Sequence, residues 1–242
     1  MWPKITTNYS PNFDINKRGR KKVKYIIIHY TGMKDESSAI KRLCNEKSKV
    51  SAHYFIKRNG NILNLVPDLY EAWHAGKSSW KKDKSLNRYS IGIEIQNSGH
   101  NNKYENFSIK QIKSLKKLLK LLIQLYKINY KNVLGHSDVA PERKKDPGEK
   151  FPWKEFARIK LASWHDLDEN NLKELRCLRL SKNQESTFLK NLAKIGYNYV
   201  KSAPSISKKK YVIKAFQRRF RSNLINGFPD KECLLISGNL LE

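Results

Sequence analysis

A chain of 242 residues, 39% of them apolar, can build one large domain or a medium one with a small companion. Its 49 Lys and Arg against 22 Asp and Glu leave +27, of which residues 181–242 carry only +8, so no basic tail accounts for the charge. No apolar run approaches the roughly 18–20 residues that span a bilayer, and Cys44, Cys177 and Cys233, odd in number and without a CxxC spacing, indicate neither a disulfide framework nor a cysteine metal site.

The basicity admits nucleic acid, an acidic membrane surface or a carboxylate-bearing polyanion such as peptidoglycan; a Lys-, Asn- and Ile-rich composition accounts for it equally well. Residues 1–22 read as an extended arm. Met1 to Lys24 is polar and lacks the hydrophobic region of a signal peptide, which leaves periplasm and cytoplasm both open. Val23 to His29 is a run of apolar, largely β-branched residues suited to a strand buried on both faces. Ser37 and Ser38 are candidate caps for a helix through Lys47, with Ile40, Leu43 and Cys44 on one face.

His53 to Lys57 and Ile62 to Val66 flank Asn59-Gly60, a strong hairpin signal. Ser90 to Ile95 is another strand. Ser108 and Gln111 fit a capping box opening a long helix, with Ile109, Ile112, Leu115, Leu119, Leu122 and Tyr126 as its buried stripe. Asn132 to Gly135 is a short strand delivering His136, and residues 153–162 form a last helix. Strands alternating with helices imply an α/β fold, a mixed central β-sheet flanked by helices. Beyond a polar linker at 166–180, residues 181–242 read as a small three-helix domain, with a break near Ala203-Pro204 and a block Tyr211 to Arg221.

The segment Leu134 to Gly148 offers His136 and Asp146, and its Pro141, Pro147 and Gly148 exclude one continuous helix between them. A catalytic zinc usually takes three protein ligands and keeps a fourth position open. His29, at the edge of the first apolar strand, completes a plausible two-histidine, one-carboxylate set. Each of the three, taken alone, reads more readily as a packed or solvated side chain.

Their surroundings change that balance. Ile26-Ile-Ile-His-Tyr-Thr31, Ser51-Ala-His-Tyr-Phe-Ile56, Ala72-Trp-His-Ala-Gly76, Ser90-Ile-Gly-Ile-Glu-Ile95 and the Gly135 to Gly148 loop follow one another over about 125 residues. In this order they resemble the zinc-dependent N-acetylmuramoyl-L-alanine amidases of type 2, the superfamily of the peptidoglycan recognition proteins. The resemblance implies one zinc per chain on His29, His136 and Asp146, in an amidase domain spanning 23–165. The reaction implied is hydrolysis of the amide between N-acetylmuramic acid, or its anhydro form, and L-alanine of the stem peptide.

The same resemblance makes Glu94 the general base and Lys144 the cation that stabilises the developing oxyanion, with Lys145 at a variable place. Tyr30, His74 and Ala75 are expected to line the substrate groove, and His53 to be structural. Ala52 stands where some relatives carry a tyrosine, so tyrosine-assisted chemistry is not expected. Ser85 stands where relatives often place a stem-peptide arginine; Arg58 and Arg88 are the candidate replacements.

Residues 181–242, with Ala215-Phe-Gln-Arg-Arg-Phe-Arg221, resemble the peptidoglycan-binding domain appended to AmiD-type amidases. Phe216 and Phe220 in that block read better as core. A module of this kind should be separable, its removal sparing cleavage of soluble muropeptides. Two rivals carry less: a binding-only relative should lack a ligand, and a nucleic-acid binder should show a recognisable basic–aromatic module, which is not found. The partner expected is therefore peptidoglycan or a muropeptide. Oligomeric state is open.

Overall fold

A computed structural model describes residues 3–200 and 206–242. The expected arm is partly sheet: Ile5–Thr7 form β1 and Phe13–Asp14 form β2. Tyr25–Tyr30 (β3) follow, then helix α1 (Glu36–Cys44), β4 (Tyr54–Ile56), β5 (Ile62–Asn64) and β6 (Glu71–Ala72). Ser79–Trp80 (β7) and Asp83–Lys84 (β8) make a small ribbon before β9 (Ser90–Ile95), α2 (Ile109–Tyr126) and β10 (Val133–Gly135). Helices then dominate: α3 (His136–Val139), α4 (Trp153–Ala157), α5 (Glu169–Leu175), α6 (Lys182–Ile195), α7 (Ile206–Phe220) and α8 (Lys231–Asn239).

The main sheet runs β1-β5-β4-β9-β3-β10. Strands β4, β9, β3 and β10 are parallel, and β5 turns back from β4 through the expected hairpin. β1 adds itself in parallel to β5. Ile26 and Ile28 of β3 face α2 and pack with Leu115, Leu118, Leu119 and Leu122; Ile27 faces the opposite layer. Both faces are thus covered, as a parallel sheet requires.

Local chemistry explains where elements depart from expectation. Asp35, rather than Ser37 or Ser38, caps α1: its carboxylate accepts the Ser38 N–H at 2.7 Å, and the helix stops at Cys44, short of Lys47. The Ser108–Gln111 capping box is formed with both of its bonds. Ile109, however, is 74% exposed. The Gln111 side chain donates to the Gln96 carbonyl at 2.7 Å, turning its own side of the first turn toward the sheet. Ile109, two residues and roughly 200° away on the helix, must then face water. Leu118, passed over in sequence, joins the stripe.

The stretch 166–180 is not a linker. Asp168 caps α5 by accepting two backbone N–H groups, Leu172 is buried, and Arg176 holds Glu232 of α8 at 2.7 and 2.8 Å. The three C-terminal helices appear as expected, although the break at Ala203-Pro204 lies outside the described residues. They do not stand apart. Phe188, Leu192, Tyr197, Phe216 and Phe220 form one apolar core with Tyr25, Ile27 and Leu134 of the sheet. The block Ala215 to Arg221, expected to mark a binding module, is buried packing material. No helix among the described residues is long and apolar enough to cross a membrane.

Candidate active site

The site lies at the C-terminal ends of the parallel strands. His29, the penultimate residue of β3, pairs in register with Glu94 of β9, so both side chains leave the same face of the sheet. β10 delivers His136 beside them, as the first residue of α3. The following loop then folds back: Ser137 N–H donates to the Asp146 carbonyl at 2.9 Å, which brings the Asp146 carboxylate against both rings.

Three donor atoms meet there. His29 Nδ1 is 2.9 Å from His136 Nδ1, and each is 3.0 Å from Asp146 Oδ2. All three residues are buried. His136 presents its other nitrogen, Nε2, to the Ala75 carbonyl at 3.2 Å. A carbonyl only accepts, so Nε2 carries a proton, and in the neutral ring that a cation would select it is Nδ1 that offers the lone pair. Lone pairs and a carboxylate turned toward one point are what a cation relieves, and the two-His, one-carboxylate set suits zinc. Other ions share these ligand types, but the set fits zinc on its chemistry.

Electrostatics distinguish the groups further. Burial, with the neighbouring His136, lowers the His29 pKa to about 4, so this ring is neutral at pH 7. Burial alone would raise Asp146, but its contacts with His136 and His29 outweigh that and hold it ionised well below the usual carboxylate range. Glu94 goes the other way: burial first, then the Asp146 charge, raises it to about 8. Its Oε2 is buried without a partner among the described residues. A carboxyl so placed can exchange a proton near neutral pH.

These residues share a cleft of about 390 Å³, lined also by Tyr30, Arg42, Trp73, His100, Lys144 and Lys145. Lys144 is half-buried, and its charge lowers the pKa of both His29 and Glu94. Lys145 reaches the cleft as well but is exposed.

The expected substrate contacts fare unevenly. Tyr30 lines the cleft, its hydroxyl 2.7 Å from His100 Nδ1. His74 borders the cleft too, yet it is 91% buried and touches His29 Nε2 at 3.1 Å; burial, then His29, lowers its pKa well below the usual value. Ala75 is wholly buried and contributes its carbonyl rather than its methyl. Arg58 is not free: both terminal nitrogens donate to Glu105 at 2.6 and 2.7 Å. Arg88 sits in the turn before β9, at the opposite end of that strand from Glu94, and does not line the cleft. His53 is structural, accepting the Gly92 N–H at Nδ1 (3.0 Å).

Several participants were not legible in the sequence. Arg42 carries its charge to the cleft from α1, and only helix periodicity could have turned it there. Arg143 bends back to donate to the Ala75 and Lys77 carbonyls, bracing the cleft wall. Asp138, two residues beyond His136, accepts from Gly135 N–H (2.8 Å), Tyr197 hydroxyl (2.8 Å) and Arg219 (2.5 Å). Arg219 also donates to the Val133 carbonyl at 3.1 Å and lies 4.1 Å over the Trp153 ring. No local pattern announces a network whose members lie up to 86 residues apart.

Residues 19–149 match the family model described as N-acetylmuramoyl-L-alanine amidase. The chain is 36% identical to N-acetylmuramoyl-L-alanine amidase AmiD of Escherichia coli K12, over 91% of this chain and 83% of that one. It is 38% identical to 1,6-anhydro-N-acetylmuramyl-L-alanine amidase AmpD of Citrobacter freundii over 48% of this chain and 60% of that protein. In three dimensions it resembles E. coli AmiD in complex with anhydro-N-acetylmuramic acid-L-Ala-D-gamma-Glu-L-Lys. There the TM-score is 0.80 and the identity 35%, covering 91% of this chain and 89% of that one. It also resembles AMPDH3 of Pseudomonas aeruginosa in complex with an anhydromuramic pentapeptide, with TM-score 0.78, 30% identity and coverage of 93% and 92%.

Proposed function

The chain belongs to the N-acetylmuramoyl-L-alanine amidase family of amide hydrolases, and we propose that it works as a zinc enzyme on peptidoglycan or its soluble, including anhydro, muropeptides. The bond cut is the amide between the lactyl carbonyl of N-acetylmuramic acid and L-alanine, in cell-wall turnover or recycling. The observation that carries this reading is the meeting of His29, His136 and Asp146 donor atoms within 3.0 Å of one another, with the Glu94 carboxyl in the same cleft.

His29, His136 and Asp146 would hold the ion. Zinc bound there supplies Lewis acidity, making water more acidic and polarising a carbonyl oxygen. Glu94 takes a proton from the attacking water as the new C–O bond forms. It returns that proton to the alanine nitrogen as the C–N bond breaks, leaving a lactyl carboxylate and a free amino group. Lys144 faces the carbonyl oxygen and offsets the negative charge growing on it. Arg42 and Lys145 add positive charge to a cleft that must accept a peptide bearing carboxylates.

Mass spectrometry of products from intact sacculi and from soluble anhydro-muropeptides, with and without a chelator, tests the proposal. The expected result is release of stem peptides with a new amino terminus, abolished by metal removal and restored by zinc. Full turnover by rigorously metal-free protein would refute the zinc assignment.

A further inference from the structure

His74 and Ala75, expected at the substrate groove, also sit against the two candidate histidine ligands. We propose that Ser90 and the dipeptide His74-Ala75 set the proton positions on both histidine ligands, so that His29 and His136 each present a bare Nδ1 to the metal. The inference rests on the zinc reading above.

Ser90 Oγ lies 2.6 Å from the Leu86 carbonyl, which can only accept, so the single hydroxyl proton is used there. Toward His74 Nε2, 3.3 Å away, Ser90 therefore acts as an acceptor, and Nε2 carries the His74 proton. A neutral imidazole has one N–H, so His74 Nδ1 is bare. It faces His29 Nε2 at 3.1 Å and accepts from it. The His29 proton is thereby placed on Nε2, and its Nδ1 is left as a lone pair beside His136 Nδ1 and Asp146 Oδ2. The Ala75 carbonyl does the same for His136 in one step, by accepting from Nε2 at 3.2 Å. Adjacent residues thus fix both ligands, one through its side chain and one through its backbone.

The surrounding residues hold this dipeptide to its task. Asn87 Oδ1 accepts the backbone N–H of His74 (3.2 Å) and of Ala75 (2.7 Å). Ser90, Gly92 and Glu94 alternate along one face of β9. Ser90 ends the proton chain, and Glu94 reaches the cleft. Gly92 leaves the space that the His74 ring fills, since a Cβ there would lie 2.3 Å from His74 Cγ. The strand's Ser-x-Gly-x-Glu pattern thus has a reason at each of its three places. With the opposite tautomer, His74 would donate from Nδ1, and the His29 proton would move to Nδ1, into the space where the ion binds.

Ser90, His74 and Ala75 are positioning residues, and the test reads protons and metal rather than turnover. In metal-free, 15N-histidine-labelled protein at neutral pH, long-range 15N–1H correlation spectra should show His29, His74 and His136 all protonated at Nε2. Ser90→Ala should leave His74 a mixture of tautomers, with backbone amide shifts elsewhere in the sheet unchanged. Its zinc affinity, measured by chelator competition, should fall tenfold or more, the usual scale for removing a group that orients a ligand. An Nδ1–H tautomer at His74 or His29 in the unaltered protein would overturn the proposal. So would a zinc affinity of the Ser90→Ala protein within twofold of the original. If the unaltered protein bound no zinc, the metal reading would fail, while the tautomer spectrum would still judge the proton chain.

Discussion

In the proposed reaction Glu94 and Lys144 would act through what surrounds them, and their variants separate chemistry from metal binding. Glu94→Gln and Lys144→Ala should keep one zinc per chain by metal analysis while losing roughly 10²- to 10⁴-fold in turnover. Lys145→Ala should lose far less. Both lysines border the cleft, but Lys144 is half-buried with its charge felt at Glu94, whereas Lys145 is exposed. Equal losses at the two lysines would make the positive run a general field rather than an oxyanion contact. Glu94 also makes a pH prediction for metal-free protein. Its folded pKa of about 8 exceeds the ordinary 4.5, so the neutral carboxyl is the form the fold favours. That stability is fully present below about pH 4.5 and is lost progressively as pH rises to about 8. Glu94→Gln stays neutral, so its Tm without metal should pull ahead of the original across that window and then run parallel. An identical pH dependence would show that the carboxyl is not held neutral. His29 has the opposite sign: its depressed pKa favours the neutral ring, and zinc should be released as acid protonates it.

At the scale of elements, two substitutions with similar chemistry should behave differently. Ser108→Ala removes the cap of α2, which accepts the Gln111 N–H at 3.1 Å, and should cost about 1 kcal/mol in denaturant unfolding. That end of α2 touches no ligand, so zinc affinity should not change. Gly92→Ala adds one methyl to β9, but it would press on the buried His74 ring, and one of the two must shift. Overpacking of this kind costs about 1–3 kcal/mol, and here zinc affinity should fall with it. Normal zinc binding in Gly92→Ala would mean that His74 can move without disturbing His29. Strand β3, the hairpin and the α2 capping box were legible in the sequence because periodicity, turn chemistry and capping act within a few residues. The Ile109 side of α2 was misjudged because a bond to Gln96, fifteen residues away, set the rotation of the first turn. Helix α5 was missed because a polar stretch hides one cap and one buried leucine.

Across the whole molecule, the C-terminal helices are bolted to the loop carrying His136 and Asp146 rather than tethered near it. Arg219 and Tyr197 satisfy Asp138, two residues beyond His136, and the same helices cover the sheet face bearing Tyr25 and Ile27. Deleting residues 181–242 would leave that carboxylate buried without its cation and the sheet face open to water. The truncated protein is therefore expected to lose stability and zinc affinity together, and cleavage of soluble muropeptides with them, contrary to the separable module its sequence implies. Arg219→Met in the full chain gives the graded version, at about 3–5 kcal/mol for breaking a buried pair. A truncated protein with unchanged Tm and soluble-substrate activity would restore the modular view. Sequence alone determined the family likeness and the order of the main strands and of helices α1 and α2, since each is written in short motifs and local periodicity. Tertiary structure alone decided that His74 faces His29, that Arg58 is occupied by Glu105 and that Arg88 lies at the wrong end of β9. It also decided that Arg219 holds Asp138 in the His136 loop. Partners for buried charges and ring nitrogens are chosen by which surfaces packing brings together, and nothing local in the sequence records that choice.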